Sequence, residues 1–166
     1  MNLIGGRRKS APPDPSSVTA TRILLASEGR VIPPGAVEAA ARLAKQSSAP
    51  VRVFSVARIW GSGLGLPMPG LLPSKREWDQ QRELVLDAVR TLRKQGLEAD
   101  GHVLATRKAT KRIVSEAERL GCDVIVMAAD APRPWLLADW MWSQEPYRVR
   151  RRAKIPVLLV QEDDRK

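Results

Sequence analysis

Residues 119–128 read Arg-Leu-Gly-Cys-Asp-Val-Ile-Val-Met-Ala, and this stretch decides the fold. Its first two residues complete a helical pattern, and Gly121 is the residue type that commonly ends a helix. Five apolar residues follow without interruption at 124–128. Such a run is typical of a strand that is covered on both faces. The stretch therefore predicts a helix that leads into a buried strand of a parallel sheet.

The same alternation extends in both directions along the chain. Strands are predicted at 23–26, 51–56, 102–105, 124–128 and 157–160, and helices begin near Pro33, Lys75, Thr110 and Tyr147. Strands that alternate with helices form right-handed βαβ units. We therefore expect an α/β fold, in which a five-stranded parallel sheet carries helices on both faces.

A length of 166 residues suits one domain, which the pattern places at 21–162. The preceding residues 1–20 are rich in proline and serine, and we expect them to form a disordered basic tail. The loop at 59–74 exceeds the usual median of about 4 to 6 residues, which indicates that it is functional or disordered.

The composition excludes several classes of function. Lysine and arginine total 28 against 18 for aspartate and glutamate, a net charge of +10 that favours anionic partners. Cys122 and His102 are the only residues of their types, so neither a disulfide framework nor a Cys/His metal cluster can form. No apolar run approaches the roughly 20 residues of a membrane helix. We expect a cytoplasmic protein without membrane insertion.

Three stretches resemble the universal stress protein family, and together they span residues 22–160. They are Ile-Leu-Leu-Ala-Ser-Glu-Gly at 23–29, the stretch at 119–128, and Ile-Pro-Val-Leu-Leu-Val at 155–160. The resemblance implies the adenine-nucleotide alpha-hydrolase-like fold with strand order 3-2-1-4-5, and a homodimer often formed along the last strand. It also implies, in many members, ATP bound where the strand order reverses, which is where a doubly wound sheet binds ligands in general.

The family's nucleotide-binding residues are only partly present. Glu28 stands where ATP-binding members have an aspartate that contacts the nucleotide, Gly29 is retained, and Arg30 replaces a small hydroxyl residue. The loop after the fourth strand reads Ala-Ala-Asp-Ala-Pro-Arg-Pro at 128–134, where the family carries glycines, and Ser143 falls near the family's later hydroxyl position. Because those glycines let backbone amides approach phosphates, we expect ordinary ATP binding to be lost, with no cofactor.

Two basic clusters contain nine of the positive charges. They are Arg107, Lys108, Lys111 and Arg112 at the start of the third helix, and Arg148, Arg150, Arg151, Arg152 and Lys154 on the last helix. Cations at a helix start oppose the helix dipole by about 0.3 to 1 kcal/mol each, and such a conflict often marks a functional site. In the second cluster, helical spacing predicts Arg148 and Arg152 on one side and the remaining charges elsewhere around the helix.

Five tryptophans stand out among few aromatic residues. Trp135, Trp140 and Trp142 lie in the segment that should carry the glycines, while Trp60 and Trp78 flank the long loop. Three interpretations are open: the rings fill or cover the nucleotide crevice, anchor a protein partner, or stack on bases.

Three functions are compatible with these residues. We favour a non-enzymatic regulatory or scaffolding protein, a homodimer or a subunit of a larger complex, whose partner contacts the tryptophans at 135–142 and the arginines at 148–152. The first alternative is a nucleotide-binding stress protein with Glu28, Arg30, Arg107 and Lys108 around the phosphates. The second alternative is binding of RNA or DNA through the two basic clusters. No phosphate-loop, dinucleotide or hydrolase motif indicates an enzyme, and we expect structural roles for the single histidine and cysteine.

Overall fold

The computed structural model describes residues 18–59, 72–130 and 144–161. Within these ranges strands and helices alternate strictly, as predicted. The elements are β1 (Ile23–Ser27), α1 (Pro34–Ser47), β2 (Val51–Arg58), α2 (Lys75–Lys94), β3 (Ala99–Thr106), α3 (Ala109–Leu120), β4 (Val124–Ala129), α4 (Glu145–Arg152) and β5 (Val157–Gln161).

The strands form one sheet in the order β3-β2-β1-β4-β5, and every neighbouring pair is parallel. Ile23 in β1 lies opposite Val51 of β2 on one side and Val124 of β4 on the other. The predicted α/β fold and its strand order are confirmed. The order reverses at β1, so the carboxyl ends of β1 and β4 flank the crevice of a doubly wound sheet.

Helices cover both faces of the sheet because its strands are apolar on both sides. In β1, Ile23 and Leu25 pack in one core cluster with residues of α1 and α2. Leu24 and Ala26 point to the opposite face and pack with residues of α3 and α4. All five residues of β1 are buried, which explains why its sequence shows no alternation of apolar and polar residues.

Local sequence signals account for the ends of two helices. The Ser74 side chain accepts a hydrogen bond from the Glu77 amide, and the Glu77 carboxylate accepts one from the Ser74 amide, so that a capping box begins α2. Gly121 ends α3 in the left-handed conformation with φ 64°. The start of α3 differs, because it has no side-chain cap and no acidic residue in its first turn.

The packed domain begins earlier than the predicted boundary at residue 21. Ala20 is buried, and its amide donates to Ser47 Oγ at 3.1 Å. Val18 is partly buried and packs against the same core, so residues 18–20 contribute to the packed domain. Residues 1–17 and most of the loop at 59–74 lie outside the described residues. In the described part of the chain, no helix is both long and apolar enough to cross a membrane.

Candidate functional site

The crevice between the ends of β1 and β4 contains an ion-paired arginine. Glu28 directly follows β1, and its side chain is 3% exposed. Arg30 donates from Nε to Glu28 Oε1 and from Nη1 to Asp130 Oδ2, the latter at 2.7 Å. Asp130 directly follows β4, the neighbour of β1. One guanidinium therefore joins the ends of the two strands at which the order reverses.

The backbone that carries Arg30 is held in place by side chains from two other elements. Arg58 of β2 donates from Nε to the Glu28 carbonyl, and Gln81 of α2 donates from Nε2 to the Gly29 carbonyl, each at 2.9 Å. Gly29 has φ +102°, and a Cβ there would lie 2.8 Å from the Val56 carbonyl oxygen. This position therefore requires glycine, and the turn presents Arg30 at a fixed place.

The carboxylates of Glu28 and Asp130 keep Arg30 protonated and balance its charge. Burial alone would lower the pKa of Arg30, but the charge of Glu28 and the hydrogen bonds to Asp130 and Glu28 outweigh it and raise the pKa. The arginine is 39% exposed, so solvent still reaches part of the guanidinium. An incoming phosphate would have to compete with two carboxylates for it.

A cavity of about 480 Å³ opens beside this ion pair, and we call it the crevice cavity. Its lining consists of Gly29, Arg30 and Val31 after β1, of Ala128, Ala129 and Asp130 at the end of β4, and of Gln80, Gln81 and Leu84 from α2. The volume lies within the range of about 300 to 1,000 Å³ that is usual for small-molecule sites. Among the described lining residues, Arg30 is the one cation, and it is already paired.

A second cavity of about 860 Å³ lies between the start of α3 and the facing side of α4. Its basic residues come from both clusters: Arg107, Lys108 and Lys111 on one side, and Arg148, Arg151 and Arg152 on the other. Glu145 is the one acidic residue among the described lining residues, and it accepts a hydrogen bond from Thr110 Oγ1. We call this cavity the basic groove.

The model of the Universal stress protein family matches residues 19–161, which is most of the chain. The chain belongs to the universal stress protein family. Solved structures agree on the fold. A universal stress protein from Archaeoglobus fulgidus is 22% identical with a TM-score of 0.65, and the match covers 84% of this chain and 98% of that one.

Two further structures of this family contain nucleotides. An Archaeoglobus fulgidus universal stress protein in complex with dAMP is 22% identical, with a TM-score of 0.62 and coverage of 84% of this chain and 97% of that one. A universal stress protein in complex with cAMP is 16% identical, with a TM-score of 0.58 and coverage of 87% and 98% respectively. At these identities the likeness establishes the fold alone. A comparison with curated proteins gave no significant match.

This universal stress protein divides its predicted binding residues between the two cavities. Arg30 lines the crevice cavity, with Glu28 beneath it, whereas Arg107 and Lys108 line the basic groove. The two linings share no residue. The separation arises because β3, which leads into α3, is the edge strand two places away from β1.

The basic side chains of α4 are more concentrated on one side of the helix than the sequence predicts. Arg148, Arg151 and Arg152 all face the groove, because residues at i, i+3 and i+4 share one side of a helix. Arg150 points elsewhere, and its guanidinium carbon lies 5.4 Å from the centre of the Tyr147 ring. The charges of α4 therefore form a stripe of three along the groove, and not an even ring around the helix.

Several predicted contact residues lie outside the described residues: Ser143, Trp60, Trp135, Trp140 and Trp142. Trp78 is described and lies in the first turn of α2. It is half-buried, and the Arg82 guanidinium lies 5.7 Å from its ring centre.

Sequence reasoning missed two carboxylates, Asp130 and Glu116. Asp130 had a usable signal, since a charged residue directly after an apolar strand lies at the carboxyl edge of the sheet. Glu116 is 1% exposed inside α3, and its Oε1 lies 2.7 Å from His102 Nε2 and also accepts from Arg119. His102 therefore does have a carboxylate partner. Burial alone would raise the pKa of Glu116, but the hydrogen bonds from Arg119 and His102 outweigh it and lower the pKa.

Proposed function

We propose that this universal stress protein is a non-enzymatic regulatory or scaffolding protein that acts through protein contacts and has lost ordinary ATP binding. The observation that carries the proposal is the position of Arg30 between Glu28 and Asp130 in the crevice. The family resemblance assigns the acidic residue after β1 to the nucleotide. In this chain that carboxylate is already bound by Arg30.

The energy of the ion pair supports the proposal. Glu28 is almost completely buried, so a ligand that drew Arg30 away would leave a buried charge without its partner. Removing one partner of a buried ion pair costs about 3 to 5 kcal/mol, whereas an exposed pair contributes about 0 to 1 kcal/mol, so the partial exposure of Arg30 places the cost here at roughly 2 kcal/mol. A loss of about 2 kcal/mol weakens binding roughly thirtyfold.

Isothermal titration calorimetry with ATP and ADP tests this part of the proposal. We expect no binding heat from the natural protein at micromolar concentrations. The Asp130→Asn variant, which removes one competitor for Arg30, should bind ATP more tightly than the natural protein. Asp100→Asn is the matched control, since Asp100 pairs with Arg52 at the β2–β3 edge and should leave ATP binding unchanged. Micromolar ATP binding by the natural protein would contradict the proposal.

The last strand supports a role in protein contacts. β5 pairs with β4 alone in the described sheet, so its other edge presents backbone groups that a second strand could pair with. Light scattering after size exclusion should show a dimer or a larger complex. The Leu159→Lys variant of β5 should weaken this association, and Leu86→Lys on the surface of α2 is the control. A natural protein that is monomeric, and that is purified from its source cell without a stoichiometric companion, would argue against protein contacts.

A second candidate function is nucleotide binding at an arginine-containing variant of the family site. The crevice cavity favours it, because a volume of about 480 Å³ beside Arg30, Gln80 and Gln81 suits a small polar ligand. Titration with cAMP separates the two candidates. If a nucleotide binds there, Arg30→Ala should abolish binding and Arg107→Ala should preserve it, because Arg107 lines the other cavity. No binding by the natural protein excludes this candidate.

A further inference from the structure

We infer that the basic groove binds a nucleic-acid strand through its phosphates, without reading the bases. The inference goes beyond the proposed function, which rests on the crevice and on protein contacts. Its starting point is that the fold joins two basic clusters that are about forty residues apart in the sequence. α3 and α4 pack against each other, and Thr110 of α3 donates directly to Glu145 of α4.

The charge of the groove is strongly unbalanced. Six exposed basic side chains face one carboxylate in its described lining. Within residues 18–59, 72–130 and 144–161, Arg148 is the one of the six that forms a salt bridge, with Glu145 at 3.5 Å. Among the residues that the structure describes, the other five basic side chains of the groove have no salt-bridge partner, so an anionic ligand can contact them.

The helix dipoles explain only half of this arrangement. Arg151 and Arg152 lie in the last turn of α4, where cations are favourable. Lys108 and Lys111 lie at the start of α3, where cations are unfavourable and where α3 itself supplies neither an acidic residue in its first turn nor a side-chain cap. An anion in the groove would satisfy both lysines, and the uncapped amides of the first turn of α3 as well.

The other side chains of the groove favour nucleic acid over a small molecule or a protein. Small-molecule sites are lined mainly by apolar and aromatic residues, and protein interfaces have apolar or aromatic centres. Apart from the basic residues and Glu145, the described lining consists of Ala109 and Thr110. Protein surfaces that bind nucleic acid are polar and positively charged, as this one is. No aromatic side chain on which bases could stack occurs in that lining, and we therefore expect its cations to contact mainly phosphates.

The length of the groove sets the expected number of contacts. α4 has eight residues, which corresponds to about 12 Å at roughly 1.5 Å per residue. If the bases of the bound strand stay stacked as in one strand of a duplex, its phosphates are about 3.4 Å apart along the axis, and this length accommodates roughly three or four of them. At about −0.7 per phosphate of a single strand, log K should fall with log salt concentration with a slope of about −2 to −3.

Fluorescence anisotropy with labelled single-stranded RNA tests the inference. The assay uses the full chain and two RNAs of unrelated sequence, each about 20 nucleotides long. This length is sufficient, because a single-strand-binding OB-fold domain covers roughly 4 to 16 nucleotides. We expect the two sequences to bind with similar affinity, and affinity to fall about 15- to 50-fold between 50 and 200 mM salt. No binding at 50 mM salt, or a strong preference for one sequence, would overturn the inference.

Two variants with equal charge separate the groove from general electrostatics. The groove variant replaces Lys108, Lys111, Arg151 and Arg152 by glutamine. The control variant replaces Arg42, Lys75, Arg76 and Lys94, which are exposed on α1 and α2 across the sheet. Both variants lose two lysines and two arginines. Both keep the basic residues at 7–9, so any contribution of these residues to RNA affinity is the same in the two variants.

We expect the groove variant to lose at least about tenfold in affinity and most of its salt dependence, and the control to stay within about threefold of the natural protein. Equal losses in the two variants would overturn the inference. Circular dichroism checks that both fold, and if the groove variant does not, Arg151→Gln with Arg152→Gln gives a milder test. Competition by poly-glutamate at lower charge concentration than RNA would also overturn it, since an acidic protein would then be the better ligand.

Discussion

Replacement of Glu116 by glutamine is expected to destabilise the domain by about 1 to 2 kcal/mol at neutral pH. The variant keeps the shape of the side chain and removes its charge. In the natural protein the buried carboxylate is hydrogen-bonded to His102 and Arg119. Hydrogen bonds to charged groups contribute about 1.5 to 3 kcal/mol and neutral ones about 0.5 to 1.5, so the bond to His102, which becomes neutral in the variant, weakens by roughly 1 kcal/mol. The Arg119 side chain is 61% exposed, which reduces its share.

The pH dependence of this effect has a definite sign. The pKa of Glu116 is lowered in the folded protein from its ordinary value of 4.5, so its stabilising effect is complete above that value. The effect is lost as the pH falls through the lower, folded pKa, where the natural side chain becomes a neutral isostere of glutamine. The difference in free energy of unfolding between the two proteins should therefore shrink towards zero in acid.

Urea unfolding followed by circular dichroism at neutral and acidic pH measures this difference. Glu118→Gln is the matched control, because Glu118 is exposed on the same helix and has no described salt bridge. We expect the control to unfold like the natural protein at both pH values. A Glu116→Gln variant that is as stable as the natural protein at neutral pH, or whose deficit persists in acid, would refute the reasoning.

Three further predictions concern packing and titration. Gly101→Ala should cost about 1 to 3 kcal/mol in urea unfolding, because its Cβ would lie 2.9 Å from the Val53 carbonyl oxygen, whereas Gly35→Ala, with only an ordinary contact, should cost nothing. Burial raises the pKa of Cys122 to about 11, so its thiol should not react with a disulfide reagent at pH 8 until the protein unfolds; rapid reaction of the native protein would contradict this. Although burial opposes it, hydrogen bonds from the chain ahead of β1 lower the pKa of Asp123, so Asp123→Asn should cost about 1 kcal/mol at neutral pH and progressively less in acid. An equal cost at both pH values would exclude that cause.

The order of the elements was predictable because the core is built from uninterrupted apolar runs. Residues 124–128 read as a buried strand in the sequence and form β4, which is buried almost throughout. Glycine signals were equally local, as at Gly121. Burial of a charged side chain has no such local signal. Glu116 forms an i, i+3 pair with Arg119 on its own helix, but it was overlooked because only its tertiary partner, His102 of β3, shows that the carboxylate is buried in the apolar face.

The sequence predicted more of the crevice than of the basic groove. The resemblance to the family placed Glu28 and Arg30 near the crevice, but it drew attention to the missing glycines and away from Asp130. The convergence of Lys108 and Arg151 in one groove required knowing which helices are neighbours. That information belongs to the topology and not to either cluster.

The topology accounts for the separation of the two sites. From β1 the chain moves outward through β2 to β3, then crosses back to β4 and moves outward to β5. Since parallel crossovers are right-handed, reversing the direction of travel moves the helices from one face of the sheet to the other. α1 and α2 therefore cover the face beside the crevice cavity, and α3 and α4 become neighbours on the opposite face. The same reversal creates a crevice in which carboxylates pair with Arg30, and it brings together two helices whose cations face one carboxylate in the described lining of the groove. For this reason a ligand that requires free positive charge should prefer the basic groove, and the two sites can be tested independently.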